Sequence, residues 1–146
     1  MGYTNTYNAY QKTSITTASQ GRLVVLLYEG AIKQLTTALT YINSDGKILA
    51  KNIEKFGICI QKAQGIITEL QVSLDMEKGG EIAKNLMSLY LFFNEELTAA
   101  NINHDSAKIT SILNMIKDLA DVWKQIANST ANAPAAKVEK ALNIVG

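Results

Sequence analysis

Nothing before residue 134 obliges a helix to break, because the chain's single proline is Pro134. Along this proline-free stretch apolar residues recur at alternating steps of three and four, which aligns them on one stripe of an α-helix. No segment shows the sustained two-residue alternation, bounded by hairpin turns, that a half-buried strand requires. An all-α fold follows.

Four stripes can be read. The first holds Leu23, Leu27, Ala31, Leu35, Ala38 and Ile42, widened by Val24, Tyr28 and Leu39, with Ser19 as its expected N-cap. The turn cluster Asn43-Ser44-Asp45-Gly46 stops it. The second, expected from about Lys47 to Leu74, holds Leu49, Ile53, Phe56, Ile60, Ala63, Ile67, Leu70 and Leu74 in heptad steps. The third lies between the pair Gly79-Gly80 and Asn103 and holds Ala83, Leu86, Tyr90, Phe93, Leu97 and Ala100. The fourth, capped by Asp105 or Ser106 and running to about Ala127, holds Ile109, Ile112, Ile116, Leu119, Trp123 and Ile126. Leu113 and Ala120 widen it on one side, Met115 and Val122 on the other. Four rods of similar length joined by short turns predict an antiparallel up-down four-helix bundle.

The two ends read differently. Residues 1–17 are polar and nearly uncharged, dotted with Tyr3, Tyr7 and Tyr10 and carrying Ile15; they predict a flexible N-terminal tail whose rings can dock. Residues 129–146 form a polar linker and a short C-terminal fifth helix, with Pro134 at its first position and Val138, Ala141, Leu142 and Val145 on its apolar face. The bundle itself is expected over residues 18–128.

Composition bounds the function. Charged residues are only 18% of the chain, the formal net charge is +1, and Arg22 is its one arginine, so no concentrated basic face offers itself to nucleic acid. No apolar run is long enough to span a bilayer, and no charged-then-apolar leader opens the sequence, so a cytoplasmic protein without membrane insertion is expected. The lone Cys59 forms no internal disulfide and reads as a buried, inert thiol. With His104 as its one histidine, the chain cannot build the paired Glu-x-x-His site of a di-metal bundle. Gly79-Gly80-Glu81 lacks the Lys-Ser or Lys-Thr that completes a phosphate loop. No enzymatic activity, metal or cofactor is expected.

What remains is surplus apolar surface. At about 100° per residue, Leu91 and Phe92 fall on the two flanks of the third helix's outer face, where a small bundle should be polar. Ile58, Gly65 and Val72 recur at seven-residue steps opposite the second helix's core stripe, two apolar groups around a glycine that leaves either a groove or merely a bare surface. Adding Met87, Met115 and Val122, these eight residues are the candidate surface for an amphipathic partner segment. Tyr7, Tyr10 and Ile15 are its candidate displaceable cap.

The run Ile15-Thr16-Thr17-Ala18-Ser19 with Leu26-Leu27-Tyr28-Glu29-Gly30-Ala31 resembles the start of the flagellin-specific export chaperones, the FliS family. Asn8-Ala9-Tyr10, Ser73-Leu74-Asp75, Gly79-Gly80-Glu81-Ile82-Ala83, Leu89-Tyr90, Ala100-Asn101 and the late Trp123 agree in order and spacing. Where the family carries a proline and acidic residues after Thr-Ala-Ser, this chain has Gln20-Gly21-Arg22. The resemblance implies a cytoplasmic chaperone that binds the disordered C-terminal segment of flagellin, blocks its premature polymerisation and aids its delivery to the flagellar type III export apparatus. Export-gate components or a co-chaperone are implied as further partners. The competing expectation is a structural bundle that self-associates through the same apolar surface.

Overall fold

The computed structural model describes residues 17–128, with side chains from Gly21 onward. Over that range it is a bundle of four helices: α1 (Thr17–Thr40), α2 (Ala50–Ser73), α3 (Gly80–Asn103) and α4 (Ser106–Asn128). No strand is present among the described residues; the only extended pairing there is an isolated antiparallel bridge between Ile42 and Ile48. The expected N-terminal tail and fifth helix lie outside the described residues.

Each helix buries one stripe. All six expected core residues of α3, from Ala83 to Ala100, are buried, and so are Leu23, Leu27, Tyr28, Ala31, Leu35 and Ala38 of α1. On α4, Ile109, Ile112, Ile116, Leu119 and Ile126 are buried while Trp123 is half-buried. α1 packs along both α2 and α4, and α3 rests against both of the same helices. The first turn of α1 approaches the last of α4, where an atom added at Gly21 would meet Ala127 at 3.5 Å. Along α2 and α3 partners climb on one helix as they descend on the other: Gly57 faces Asn101, Gln64 faces Asn94 and Thr98, and Thr68 faces Asn94.

The turns set the helix ends, and several sequence expectations shift: Leu74, for one, leaves α2 as its extended C-cap. α1 begins at Thr17, so Ser19 lies within the helix rather than capping it. Asn43 donates its N–H to the Lys47 carbonyl at 2.8 Å, and Gly46 turns the chain at φ +81°. This closure holds Ile42 and Ile48 in the bridge, ends α1 at Thr40 and delays α2 to Ala50. Leu49 is therefore extended, not helical, and exposed. Ile53 is exposed too, because α3 reaches no further along α2 than Phe56, whose ring meets His104 edge-on at 5.4 Å.

Between α2 and α3, the Asp75 carboxylate accepts the N–H groups of Glu77 and Lys78, and its carbonyl accepts that of Gly79. A Cβ at Gly79 would stand 2.5 Å from the Ala83 Cβ, so the tight entry into α3 requires glycine there. Between α3 and α4, His104 adopts the left-handed conformation at φ 52°. Asp105 caps α4 by accepting the Lys108 N–H at 3.0 Å.

Among the described residues, a polar contact between opposite helices crosses the core. Tyr28 and Tyr90 are fully buried and share a hydrogen bond through their hydroxyls. The Trp123 indole N–H is buried beside Tyr28 without reaching hydrogen-bond geometry. Burial drives both phenol pKa values upward; the proximity of Tyr90 raises Tyr28 further, while the bond from Tyr28 moderates Tyr90. Tyr28→Phe strands the Tyr90 hydroxyl and is expected to lower the unfolding free energy by about 1–3 kcal/mol in urea titration. Adding Tyr90→Phe should recover part of that loss, since both buried hydroxyls then go together. The folded state keeps protons that unfolded tyrosine releases above a pH of about 10, so stability should fall as pH rises through that region. The double phenylalanine variant should lose that part of the pH dependence.

Candidate interaction surface

α2 and α3 meet through amides and hydroxyls along their outer edge. Gln64 Nε2 donates to the Asn94 carbonyl at 3.0 Å and to the Thr98 hydroxyl at 2.8 Å. Thr98 has already given its own hydrogen to the Asn94 carbonyl at 3.0 Å, so towards Gln64 it can only accept. Thr68 likewise gives its hydrogen to the Gln64 carbonyl at 3.0 Å and accepts from Asn94 Nδ2 at 3.4 Å. These constraints orient both amides. They leave Asn94 Oδ1 buried without a partner, as is Gln71 Nε2 one turn beyond Thr68.

Apolar side chains stand outside this polar floor. On α2, Ile58 is 42% exposed and Val72 61% exposed, with Gly65 bare between them and nothing within 4 Å of where its Cβ would lie. On α3, Leu91 is 54% exposed and Met87, one turn before it, half-buried. The register of the polar pairs sets Val72 level with the turn holding Met87 and Leu91, and Ile58 level with Ile102, which is 73% exposed. The arrangement is a shallow groove with an apolar cluster at each end and a gap at Gly65.

The eight residues singled out from the sequence do not all share this groove. Phe92 is exposed on the opposite flank of α3, one turn before Glu96, whose carboxylate pairs with Lys108 of α4 at 3.0 Å. Met115 and Val122 repeat the position of Lys108 at seven-residue steps, so they face the α3–α4 seam, where both are half-buried against the core. Ile58, Gly65, Val72, Met87 and Leu91 line the α2–α3 groove. Tyr7, Tyr10 and Ile15 lie outside the described residues. Ile102 escaped notice because it sits in the polar corner before His104. Its distance of eleven residues from Leu91, three helical turns, was the available signal.

Among the described residues the ionisable groups form no cluster able to hold a metal ion, no group of three or more His, Cys, Asp or Glu being placed for it. Cys59 is buried, which pushes its thiol pKa up, with Lys62 pulling the other way; a raised pKa disfavours the nucleophilic thiolate. No helix among the described residues is long and apolar enough to cross a membrane.

A family model described as flagellar protein FliS matches residues 3–130. The chain is 31% identical over 129 residues to the flagellar secretion chaperone FliS of Bacillus subtilis, covering 88% of this chain and 91% of that protein. It is 34% identical over 117 residues to the FliS of Salmonella typhimurium, covering 80% and 82% respectively. It is 34% identical over 134 residues to that of Vibrio cholerae, covering 89% and 94%.

Gly65 is a direct probe of the groove. Gly65→Ala meets no neighbour and should raise the unfolding free energy by about 1 kcal/mol through helix propensity. Unchanged or lowered stability in urea would mean that the open surface at Gly65 is occupied in the folded chain.

Proposed function

The chain belongs to the FliS family of flagellar secretion chaperones, and from that premise we propose that it holds the disordered C-terminal segment of flagellin in the cytoplasm until export. The observation that carries this reading is the α2–α3 groove, whose apolar groups face outward from helices that already bury a full core stripe. A client segment folds against Ile58, Val72, Met87 and Leu91, with Ile102 extending the groove at one end. Phe92 engages the client from the other flank of α3, beside Met115 and Val122. Holding these apolar client residues keeps them from joining neighbouring flagellin subunits, which blocks premature polymerisation. Delivery to the type III export apparatus completes the role.

The proposed architecture divides the chain into a tail at residues 1–17, an up-and-down bundle at 18–128, and a linker with a short fifth helix at 129–146. Tyr7, Tyr10 and Ile15 cap the groove until the client displaces them. Export-gate components or a co-chaperone are proposed as further partners.

Calorimetric titration with a synthetic peptide from the flagellin C-terminus tests the reading, using the full chain and a form lacking residues 1–14. Saturable one-to-one binding with a negative heat-capacity change is expected, tighter in the shortened form. Leu91→Asp should leave the helical content intact, since its side chain is largely exposed, and weaken binding roughly tenfold, the equivalent of losing one apolar anchor. Phe92→Ser reports separately on the α4 side. Unchanged affinity in both variants would move the site elsewhere. No binding by either length, together with a mass that grows with protein concentration, would favour the self-associating bundle.

A further inference from the structure

A second concave surface lies away from the α2–α3 groove, where the start of α1 meets the end of α4. It is a cleft of about 270 Å³ lined by Arg22, Val25, Leu26, Lys124, Ala127 and Asn128. Its character is mixed. Leu26 is 57% exposed, and Val25 and Ala127 complete an apolar wall. Arg22 and Lys124 supply two cations, and among the described residues neither has a carboxylate within ion-pair distance.

Both polypeptide ends leave the bundle here, because α1 starts at Thr17 and α4 finishes at Asn128, itself a wall of the cleft. The two segments differ in what they can offer. Residues 1–16 contain no acidic side chain, whereas residues 129–146 contain Glu139. On a helix, Val138 and Leu142 stand one above the other, with Glu139 on one flank of their stripe, Lys137 on the other and Lys140 on the opposite face. The linker at residues 129–133 reaches up to about 17 Å when extended, enough to turn the chain back on itself. A helix over residues 134–145 is about 18 Å long, enough to cover the cleft.

We propose that residues 134–145 fold back as a helix onto this cleft, setting Val138 and Leu142 against Val25, Leu26 and Ala127, with Glu139 beside the Arg22 and Lys124 cations. The tether keeps the segment at high local concentration, so a contact too weak for a free peptide suffices. The occupant is the chain's own C-terminal segment and is independent of whether flagellin is the client of the α2–α3 groove.

Cross-linking in the full chain tests it, in a Cys59→Ala background. Leu26→Cys paired with Leu142→Cys should form an intramolecular disulfide roughly tenfold faster than Leu26→Cys paired with Lys140→Cys, because only the former thiol is held against its target. Glu139→Lys should slow the first pair and leave the second unaffected. Without engineered cysteines, Leu142→Asp should speed amide hydrogen exchange over residues 22–26 several-fold relative to the parent chain. Equal rates for the two cysteine pairs would overturn the proposal, as would unchanged exchange. Faster cross-linking of Leu26→Cys to Tyr10→Cys would overturn it by assigning the cleft to the N-terminal segment, and disulfides formed only between chains would assign it to a second copy.

Discussion

α2 and α3 are joined at their outer edge by hydrogen bonds that can be made in one register only. Gln64 divides its two amide hydrogens between a carbonyl and a hydroxyl, and each threonine gives its hydrogen to its own helix so that it can accept from the neighbour. Each bond contributes about 0.5–1.5 kcal/mol net, and a slip of one turn would break all three and part the half-buried amides of Gln64 and Asn94 from their partners. The seam thus pins the register where hydrocarbon packing alone would tolerate sliding. It also keeps hydrocarbon out of the outer edge of the interface. Ile58, Val72, Leu91 and Ile102 have no place between the helices and remain on the surface. The opposite side of α2 behaves differently: Phe56, Ile60, Ala63 and Ile67 sink into the common core together with the stripe of α1.

Helix length is governed by the turns. The hydrogen-bonded closure around Gly46 withholds Leu49 from α2, and the short corner at His104 and Asp105 stops α3 while α2 continues past it. His104 accepts a left-handed backbone, which costs a non-glycine residue roughly 1–2 kcal/mol. Its ring packs edge-on against Phe56, and its N–H reaches the Ala100 carbonyl, contacts that offset part of that cost. The mismatch in length leaves Ile53 beyond the end of α3, with no α3 neighbour to cover it.

The core was legible because burial on a helix follows a period that a sequence displays directly. Every expected core position of α3 is buried, and the departures in α2, at the exposed Leu49 and Ile53 and at Leu74, which leaves the helix as its extended, half-buried C-cap, fall where a turn rather than the period decides. The groove was legible in half. Ile58, Val72 and Leu91 betray themselves as apolar residues on a face that should be polar. The floor beneath them did not, because Gln64, Thr68, Asn94 and Thr98 look like ordinary surface residues until the register brings them together. The separation of Phe92, Met115 and Val122 from the α2–α3 groove had the same cause. Periodicity gives the face of one helix, whereas membership of a shared groove depends on which neighbour that face meets.

The amount of apolar surface in the groove limits what it can hold unaided. Ile58, Val72, Leu91 and Ile102 are between 42% and 73% exposed, so covering one gains on average about 1 kcal/mol, roughly half the value for complete burial. Four such gains come to about 4 kcal/mol and the client's matching surface adds about as much again, while ordering a disordered segment opposes binding by about 2–5 kcal/mol and lost rigid-body freedom by about 4–15 kcal/mol. The groove alone therefore at best comes close to break-even. A firm hold on a long client requires contacts beyond it, and Phe92, exposed on the far flank of the same helix, is a large apolar group that faces another way. A chaperone that must surrender its client benefits from this division. In the proposed complex, anchors spread over two faces of α3 are lost in turn, so release needs no single step that breaks every contact.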